Sequence, residues 1–268
     1  MSNNYLMESE SEAQRLDRKT DDSKTADQAI WAGLRPGMRV ADLGCGPGRT
    51  TAVLHEMTQP AGETVGVDFS PARIEHAREH YSRPGLSFQC RDIREPLADL
   101  GHFDFVWVRF VLEYYQAGSF DLIRNFIDLL APGGILCLID LDCNGLNHHE
   151  MPDRLATTVN ELISTLQEKA DFDPYVGRKL YSFLYDLGFE EIRVEVTGHH
   201  VIYGELRESD AFNWLRKAEV VPPKLGFDFK LYPGGHPEFI CEFKKFFSDP
   251  RRFTYSPLVL CRGRKPST

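Results

Sequence analysis

Five consecutive apolar residues, Ile135-Leu136-Cys137-Leu138-Ile139, follow the stop signal Ala131-Pro132-Gly133-Gly134 and constrain the fold more than any other segment. A strand this uniformly apolar must be covered on both faces. Because it ends a series of strand–helix units, it belongs to a parallel sheet with helices on each side. Residues 39–43 form a short strand entering a glycine loop, and 50–57 a helix. Residues 64–68 form a second strand, and Ser70-Pro71 supplies the N-cap and first residue of a helix carrying Ile74, Ala77 and Tyr81. Residues 86–90 and 103–108 are the third and fourth strands, and the apolar spacing of Phe120, Ile123, Phe126, Ile127 and Leu130 is helical. The alternation alone gives an α/β fold with a doubly wound sheet.

Outside these units the pattern loosens. Ala26, Ile30, Trp31 and Leu34 predict a helix from Thr25 that ends at Pro36-Gly37. Helices are expected over 153–169 and 178–187, then a strand over 191–196 through the alternation of Ile192, Val194 and Val196. Residues 205–250 are aromatic and irregular, and 252–261 is a last strand in which Pro257 suggests an edge or a bulge.

The net charge of −9 over 268 residues argues against a nucleic-acid binder, which needs a basic field to meet phosphates. The basic cluster Arg251, Arg252, Arg262, Arg264 and Lys265 is expected to be a solubilising end. No apolar run approaches the ~20 residues that cross a bilayer. The acidic N-terminus lacks a secretory core, so a cytoplasmic location is expected. The six cysteines form no Cys-x-x-Cys pair, and several lie in apolar strands, so buried free thiols are expected.

The chemistry concentrates in Asp42-Leu43-Gly44-Cys45-Gly46-Pro47-Gly48, at the carboxyl end of the first strand, where open α/β sheets bind ligands. Asp68 closes the second strand twenty residues after Gly48, at the place where an acid can accept from ribose hydroxyls. A dinucleotide site wants G-x-G-x-x-G and free amides for a pyrophosphate. Here the third glycine comes one place early, Pro47 removes an amide, and Asp42 sets a negative charge beside any phosphate. A ligand with a cationic amino group and a sulfonium suits the loop better.

These residues resemble the class I S-adenosylmethionine-dependent methyltransferases. Residues 40–48 are similar to their first motif, Val67-Asp68-Phe69-Ser70-Pro71 to the acidic strand end, and Arg91-Asp92-Ile93 to the third-strand motif. Phe103-Asp104-Phe105-Val106 and Leu130-Ala131-Pro132-Gly133-Gly134 match the fourth and fifth strands. More weakly, Tyr5…Glu12…Arg15-Leu16 and residues 174–180 resemble the small-molecule, ubiquinone-biosynthesis-like branch. The resemblance implies a Rossmann-like sheet, mostly parallel and seven-stranded with the last strand antiparallel, plus an N-terminal helical segment and an inserted lid. It divides the chain into a lid segment (1–30), a cofactor-binding core (31–145), helices and the sixth strand (146–204), an aromatic substrate lid (205–250), and the last strand and tail (251–268).

By resemblance, the cofactor is S-adenosyl-L-methionine and the product S-adenosyl-L-homocysteine. Asp42 and Gly44 would hold the methionine part, with Cys45 and Gly46 backing it. Asp68 would bind the ribose, and Phe69 would pack on the adenine. Asp92 and the Ile93 amide would meet the adenine edge, and Arg109 would line the methionine end through its backbone. The expected partner is a small-molecule methyl acceptor, with neither nucleic acid nor membrane insertion, and a homodimer is left open. A protein or tRNA acceptor, a non-catalytic S-adenosylmethionine-binding protein and an NAD-dependent oxidoreductase are the alternatives.

Candidate bases beyond the fourth and fifth strands are Glu113, Tyr114, Asp140, Asp142, His148, His149 and Glu150, with Asp142, His148 and His149 foremost and His199-His200 a further pair. Asp142-Cys143-Asn144 is similar to the ligand run of catechol O-methyltransferases. Arg109 stands where their further acid would be, so no metal is expected. The motifs that mark adenine-N6, cytosine-C5 and protein-arginine methyltransferases are missing from the expected places.

Overall fold

The computed structural model describes residues 16–17 and 20–267. The N-terminal pattern Tyr5…Glu12…Arg15, and so most of the expected lid segment, lies outside them. The first half alternates as read: α1 (Asp22–Ala32), β1 (Arg39–Leu43), α2 (Arg49–Thr58), β2 (Glu63–Asp68), α3 (Pro71–Tyr81), β3 (Leu86–Cys90), β4 (Phe103–Arg109), α4 (Ser119–Phe126) and β5 (Leu130–Leu141). Then come β6 (His148–His149), α5 (Asp153–Ala170), α6 (Leu180–Asp186), β7 (Glu190–Ile202), α7 (Glu208–Lys224), α8 (Gly235–Ser248) and β8 (Phe253–Arg264).

The strands form one sheet in the order β3-β2-β1-β4-β5-β8, with β7 on the far side of β8. β1 to β5 are parallel, and β8 runs antiparallel to both β5 and β7. The seven-stranded expectation therefore holds, with an eighth strand of two residues, β6, pairing with Thr254 and Phe253 beyond the end of β5. Period-2 alternation sends Val106, Val108, Leu136 and Leu138 to a core under α4 and α6, and Phe105, Trp107, Cys137 and Ile139 to a second core under α1. Each such side chain contributes ~1.5–3 kcal/mol on full burial.

Five expectations change. Ile30, read as part of the apolar pattern of α1, is exposed; the buried stripe is Thr25, Ala29 and Ala32, because small residues let this helix lie close on the sheet. Val194 and Val196 of β7 are also exposed. Residues 205–250 are not irregular. They form α7 and α8, with Pro222 and Pro223 in the last turn of α7, around a separate aromatic core that includes Trp214, Phe239, Phe243 and Phe247. Pro257 lies in an interior strand, and the side on which it lacks an N–H is where β5 has just ended at Leu141.

The basic C-terminal cluster is not a solvated tail. Arg252 is 1% exposed and its Nη1 donates to the carbonyls of Gly204 and Asp249, while Arg262 is buried. Arg264 donates to the Gly133 carbonyl, and the Lys265 ammonium to those of Ile127 and Leu130. Arg264 and Lys265 tie the end of the last strand to the start of β5, and Arg252 ties its beginning to the turn after β7. Cys45, Cys137 and Cys261 are buried free thiols, whereas Cys90 and Cys241 are exposed.

Candidate cofactor and acceptor site

The carboxyl ends of β1 and β2 are joined by a network that starts in the glycine loop. Gly44, Gly46 and Gly48 have φ of +79°, +55° and +94°. A Cβ added at Gly48 would stand 2.7 Å from the Ala77 Cβ and 2.9 Å from the Phe88 ring, so this glycine serves the packing of α2 on α3 and β3. At Gly46 an added Cβ would meet nothing within 4 Å: the loop is open on that side. The Gly44 and Cys45 amides donate to the Val67 carbonyl at 2.8 and 3.0 Å, strapping the loop to β2.

Asp68 is buried at the end of β2. Its Oδ2 accepts from the Gly46 amide at 3.0 Å and its Oδ1 from the Ser70 amide at 2.9 Å, with Arg73 Nη1 at 3.6 Å. Each oxygen retains a further lone pair. Phe69, 42% exposed, stands beside it with the Arg73 guanidinium 5.5 Å from its ring centroid.

Asp42, 2% exposed, accepts from the Thr51 hydroxyl at 2.7 Å. Burial pushes its pKa up to about 7; the Thr51 hydroxyl and Arg109 oppose the rise and Asp68 adds to it. Cys45 is raised as well, by burial and by the two carboxylates, which keeps it a neutral thiol.

Arg109 ends β4 and is half-buried, with its guanidinium 4.5 Å from the Phe110 ring centroid. Burial lowers its pKa to about 10 against the pull of Asp42, Asp21 and Asp140. Further along the edge, Asp92 is bound by Arg94, whose Nε lies 2.9 and 3.0 Å from its two oxygens, and Ile93 is buried in the α4-side core. The loop, Asp42, Cys45, Asp68, Phe69 and Arg109 thus converge, while Asp92 carries its own arginine.

The foremost candidate bases, Asp142 and His148, are each engaged by other groups. Asp142 forms a two-point ion pair with Arg178, at 2.8 and 2.9 Å. His148 lies within 3.1 Å of the Gly145 carbonyl through Nε2 and 2.8 Å from the Thr254 hydroxyl through Nδ1, which fits a neutral ring donating from Nε2. Burial lowers its pKa to about 4, and Trp214, Phe246 and Phe247 meet it edge-on. His149 is exposed beside Glu150.

Asp140 and Glu113 are both buried and hold chain turns. Asp140 Oδ2 accepts from the Leu112 and Glu113 amides, and Glu113 Oε2 from the Asn144 side chain. Tyr114 packs near Phe172, and His199-His200 lie between Phe110 and Trp214. Among the described residues no group of three His, Cys, Asp or Glu side chains could hold a metal ion.

Sequence reasoning passed over Thr51, Arg73, Arg94 and Arg178, the partners of four of the acids. Arg94 was recoverable, since it follows Asp92 by two residues. Arg178 and Asp142 are 36 apart, and no local spacing relates them.

Comparison with known proteins places this edge in a context. A methyltransferase-domain family model matches residues 40–134, the span from β1 to the start of β5. Trans-aconitate 2-methyltransferase of Methylobacterium radiotolerans is 29% identical over 84% of this chain and 86% of that one. The enzyme of the same name from Escherichia fergusonii is 38% identical, and there the match spans 60% of each chain.

Two solved structures share the fold at low identity. The cyclase SpnF has a TM-score of 0.59 at 21% identity, over 92% of this chain and 82% of that one. Haemonchus contortus phosphoethanolamine N-methyltransferase 2, solved with phosphomonomethylethanolamine and S-adenosylhomocysteine, has a TM-score of 0.54 at 15% identity, over 91% of this chain and 52% of that one. The open glycine loop flanked by two strand-end acids is suited to S-adenosylmethionine, and the chain carries a methyltransferase domain and is similar along most of its length to small-molecule S-adenosylmethionine-dependent methyltransferases.

Proposed function

We propose that the enzyme transfers the methyl group to a carboxylate oxygen of a small organic acid, releasing a methyl ester and S-adenosylhomocysteine. One observation carries the choice of acceptor: the foremost candidate bases are engaged elsewhere, His148 as a buried neutral ring and Asp142 in its ion pair with Arg178. A phenol or an ammonium acceptor must lose a proton on the way to product and gains from a base within hydrogen-bond reach. A carboxylate reaches the site already ionised at neutral pH. The two trans-aconitate 2-methyltransferase relatives support the same acceptor class.

When bound, the cofactor supplies an electrophilic methyl group on a sulfonium. In this proposal Asp42 takes its ammonium group, Gly44, Cys45 and Gly46 let the methionine part lie against the backbone, Asp68 receives the ribose hydroxyls, and Phe69, Asp92 and Ile93 border the adenine. What remains for the protein is alignment and exclusion of water, worth up to ~7–11 kcal/mol of barrier. Residues 205–250 would close over the acceptor.

Incubating the purified enzyme with S-adenosylmethionine and a panel of carboxylic acids, catechols and amines tests the acceptor class. Ester formation with trans-aconitate or a related polyacid is the expected result. Turnover of a phenol or an amine with no acid accepted would sink the proposal.

Asp42 makes the cofactor site pH-dependent in a stated direction. The ammonium needs the ionised carboxylate, so with a ligand-free pKa of about 7 the affinity for S-adenosylhomocysteine should be flat at higher pH. Below that value it should fall by up to ~10-fold per pH unit. Without ligand the sign is opposite for stability: a carboxyl raised from 3.8 to about 7 stabilises the fold fully below the lower value, and that contribution is lost as pH rises through the upper one. Calorimetric titration between pH 5.5 and 8.5 reads the first effect. An equally steep profile in Asp42→Asn would assign it to another group.

A further inference from the structure

We infer that the Arg109 guanidinium is the carboxylate anchor of the transfer site. Its place follows from the strand: period-2 alternation puts Arg109 on the face of Phe105 and Trp107, towards α1, and Asp42 on the same face through Val40. The other arginines of the carboxyl edge each have a carboxylate within 4 Å: Arg73 has Asp68, Arg94 has Asp92 and Arg178 has Asp142. Among the described residues Arg109 has none, and its buried Nε finds no acceptor.

A half-buried guanidinium whose Nε is shut off from water and has no acceptor is costly, and the cost disappears when a planar anion meets its fork through two parallel hydrogen bonds. The side chain is also held in place. Phe110, against which it rests, has a φ of +57° and donates its amide to the Ile139 carbonyl at 2.9 Å. Asp140 fixes the next turn by accepting from the Leu112 amide at 2.9 Å. A cation on so rigid a strand end selects what binds there by charge and shape.

Two carboxylates could meet it. One is on the acceptor, and this arm rests on the ester-forming reading given above; the other is the α-carboxylate of the cofactor. The His199 ring, 5.3 Å from the Phe110 ring, extends the row of polar groups away from Asp42 towards α7, which favours the acceptor.

The experiment compares wild type, R109Q and R109K in two readouts. Calorimetry gives the dissociation constants of S-adenosylhomocysteine and of 5′-methylthioadenosine, which lacks the amino-acid part. Steady-state assays give KM and kcat for the acid turned over. With the acceptor as source, R109Q should raise the KM for the acid at least ~10-fold while both dissociation constants stay within about threefold, and R109K should recover part of the loss.

With the cofactor as source, S-adenosylhomocysteine should weaken at least ~10-fold in R109Q and 5′-methylthioadenosine should not. Unchanged acid KM together with unchanged S-adenosylhomocysteine affinity overturns the inference. If the wild type methylates no carboxylic acid, the ester reading fails by itself and the S-adenosylhomocysteine arm alone decides Arg109. Retained 5′-methylthioadenosine binding shows that a variant is folded; should R109Q lose it, R109K supplies the same comparisons.

Discussion

Asp68→Ala is expected to raise the dissociation constant for S-adenosylhomocysteine by two orders of magnitude or more, read by calorimetric titration. Three losses coincide in this variant. The ribose loses its proposed acceptor, and hydrogen bonds to a charged group contribute ~1.5–3 kcal/mol each. The Gly46 and Ser70 amides lose the oxygens they donate to at 3.0 and 2.9 Å, so the loop and the start of α3 are no longer held in register. Arg73, itself buried, keeps its charge beside a cavity where its carboxylate stood 3.6 Å away. Removing one member of a buried pair costs ~3–5 kcal/mol, so the ligand-free variant should also melt lower.

Asp68→Asn separates the two effects. It keeps one oxygen and nearly the same volume, so most of the stability should return while the affinity stays low. A cooperatively folded Asp68→Ala protein that binds S-adenosylhomocysteine like wild type would remove Asp68 from the site. An Asp68→Asn protein as unstable as Asp68→Ala would instead show that the charge, not the ribose contact, is what the loop needs.

The double use of Asp68 illustrates what the sequence carried and what it hid. Strand and helix alternation, the glycine loop and the acids closing β1 and β2 are local patterns, because backbone angles, caps and side-chain period are set within a few residues. The bounds of β1 to β4 were legible to within a residue or two, whereas β5 begins five residues before the predicted run and β7 ends six after it. The pairing of each acid is decided by neighbours from other elements. Thr51 reaches Asp42 from α2, Arg178 reaches Asp142 across 36 residues, and Thr254 reaches His148 across 106. No spacing encodes such contacts, so His148 and Asp142 read equally well as bases and as structural partners until packing placed them.

The region 205–250 misled for a related reason. Phe239, Phe243, Phe246 and Phe247 do carry helical spacing, but Pro222-Pro223 and the Pro233-Gly234-Gly235 turn break the pattern around them, and α7 and α8 bury aromatics against each other, α5 and the end of β7, not against one flat sheet. Ile30 shows the converse case. Its exposure follows from the closeness of α1 to the sheet, which only Ala29 and Ala32 permit.

That separate aromatic core leads to the second large effect. Phe247 is fully buried, with its ring 5.2 Å from Trp214, 4.7 Å from Phe243 and 6.0 Å from His148. Phe247→Ala should cost ~3–5 kcal/mol, the range for emptying a site of this size. The question is where the cost falls. Because the cluster is distinct from the two cores flanking the sheet, the loss should appear as opening of α7 and α8. Hydrogen exchange should then quicken over residues 205–250 and remain slow in β1, β4 and β5.

If these helices close over the acceptor, kcat/KM for the acid should fall by about a hundredfold or more, since each ~1.4 kcal/mol lost from transition-state binding is a factor of ten. S-adenosylhomocysteine, which the proposal places at the ends of β1 and β2, should keep its affinity within about threefold. Exchange that quickens throughout the sheet would show that the insertion is an integral part of the core. Faster exchange confined to residues 205–250 with unchanged turnover would mean that these helices move without touching the acceptor, and that the pocket is built by α1 and the turn after β4 instead.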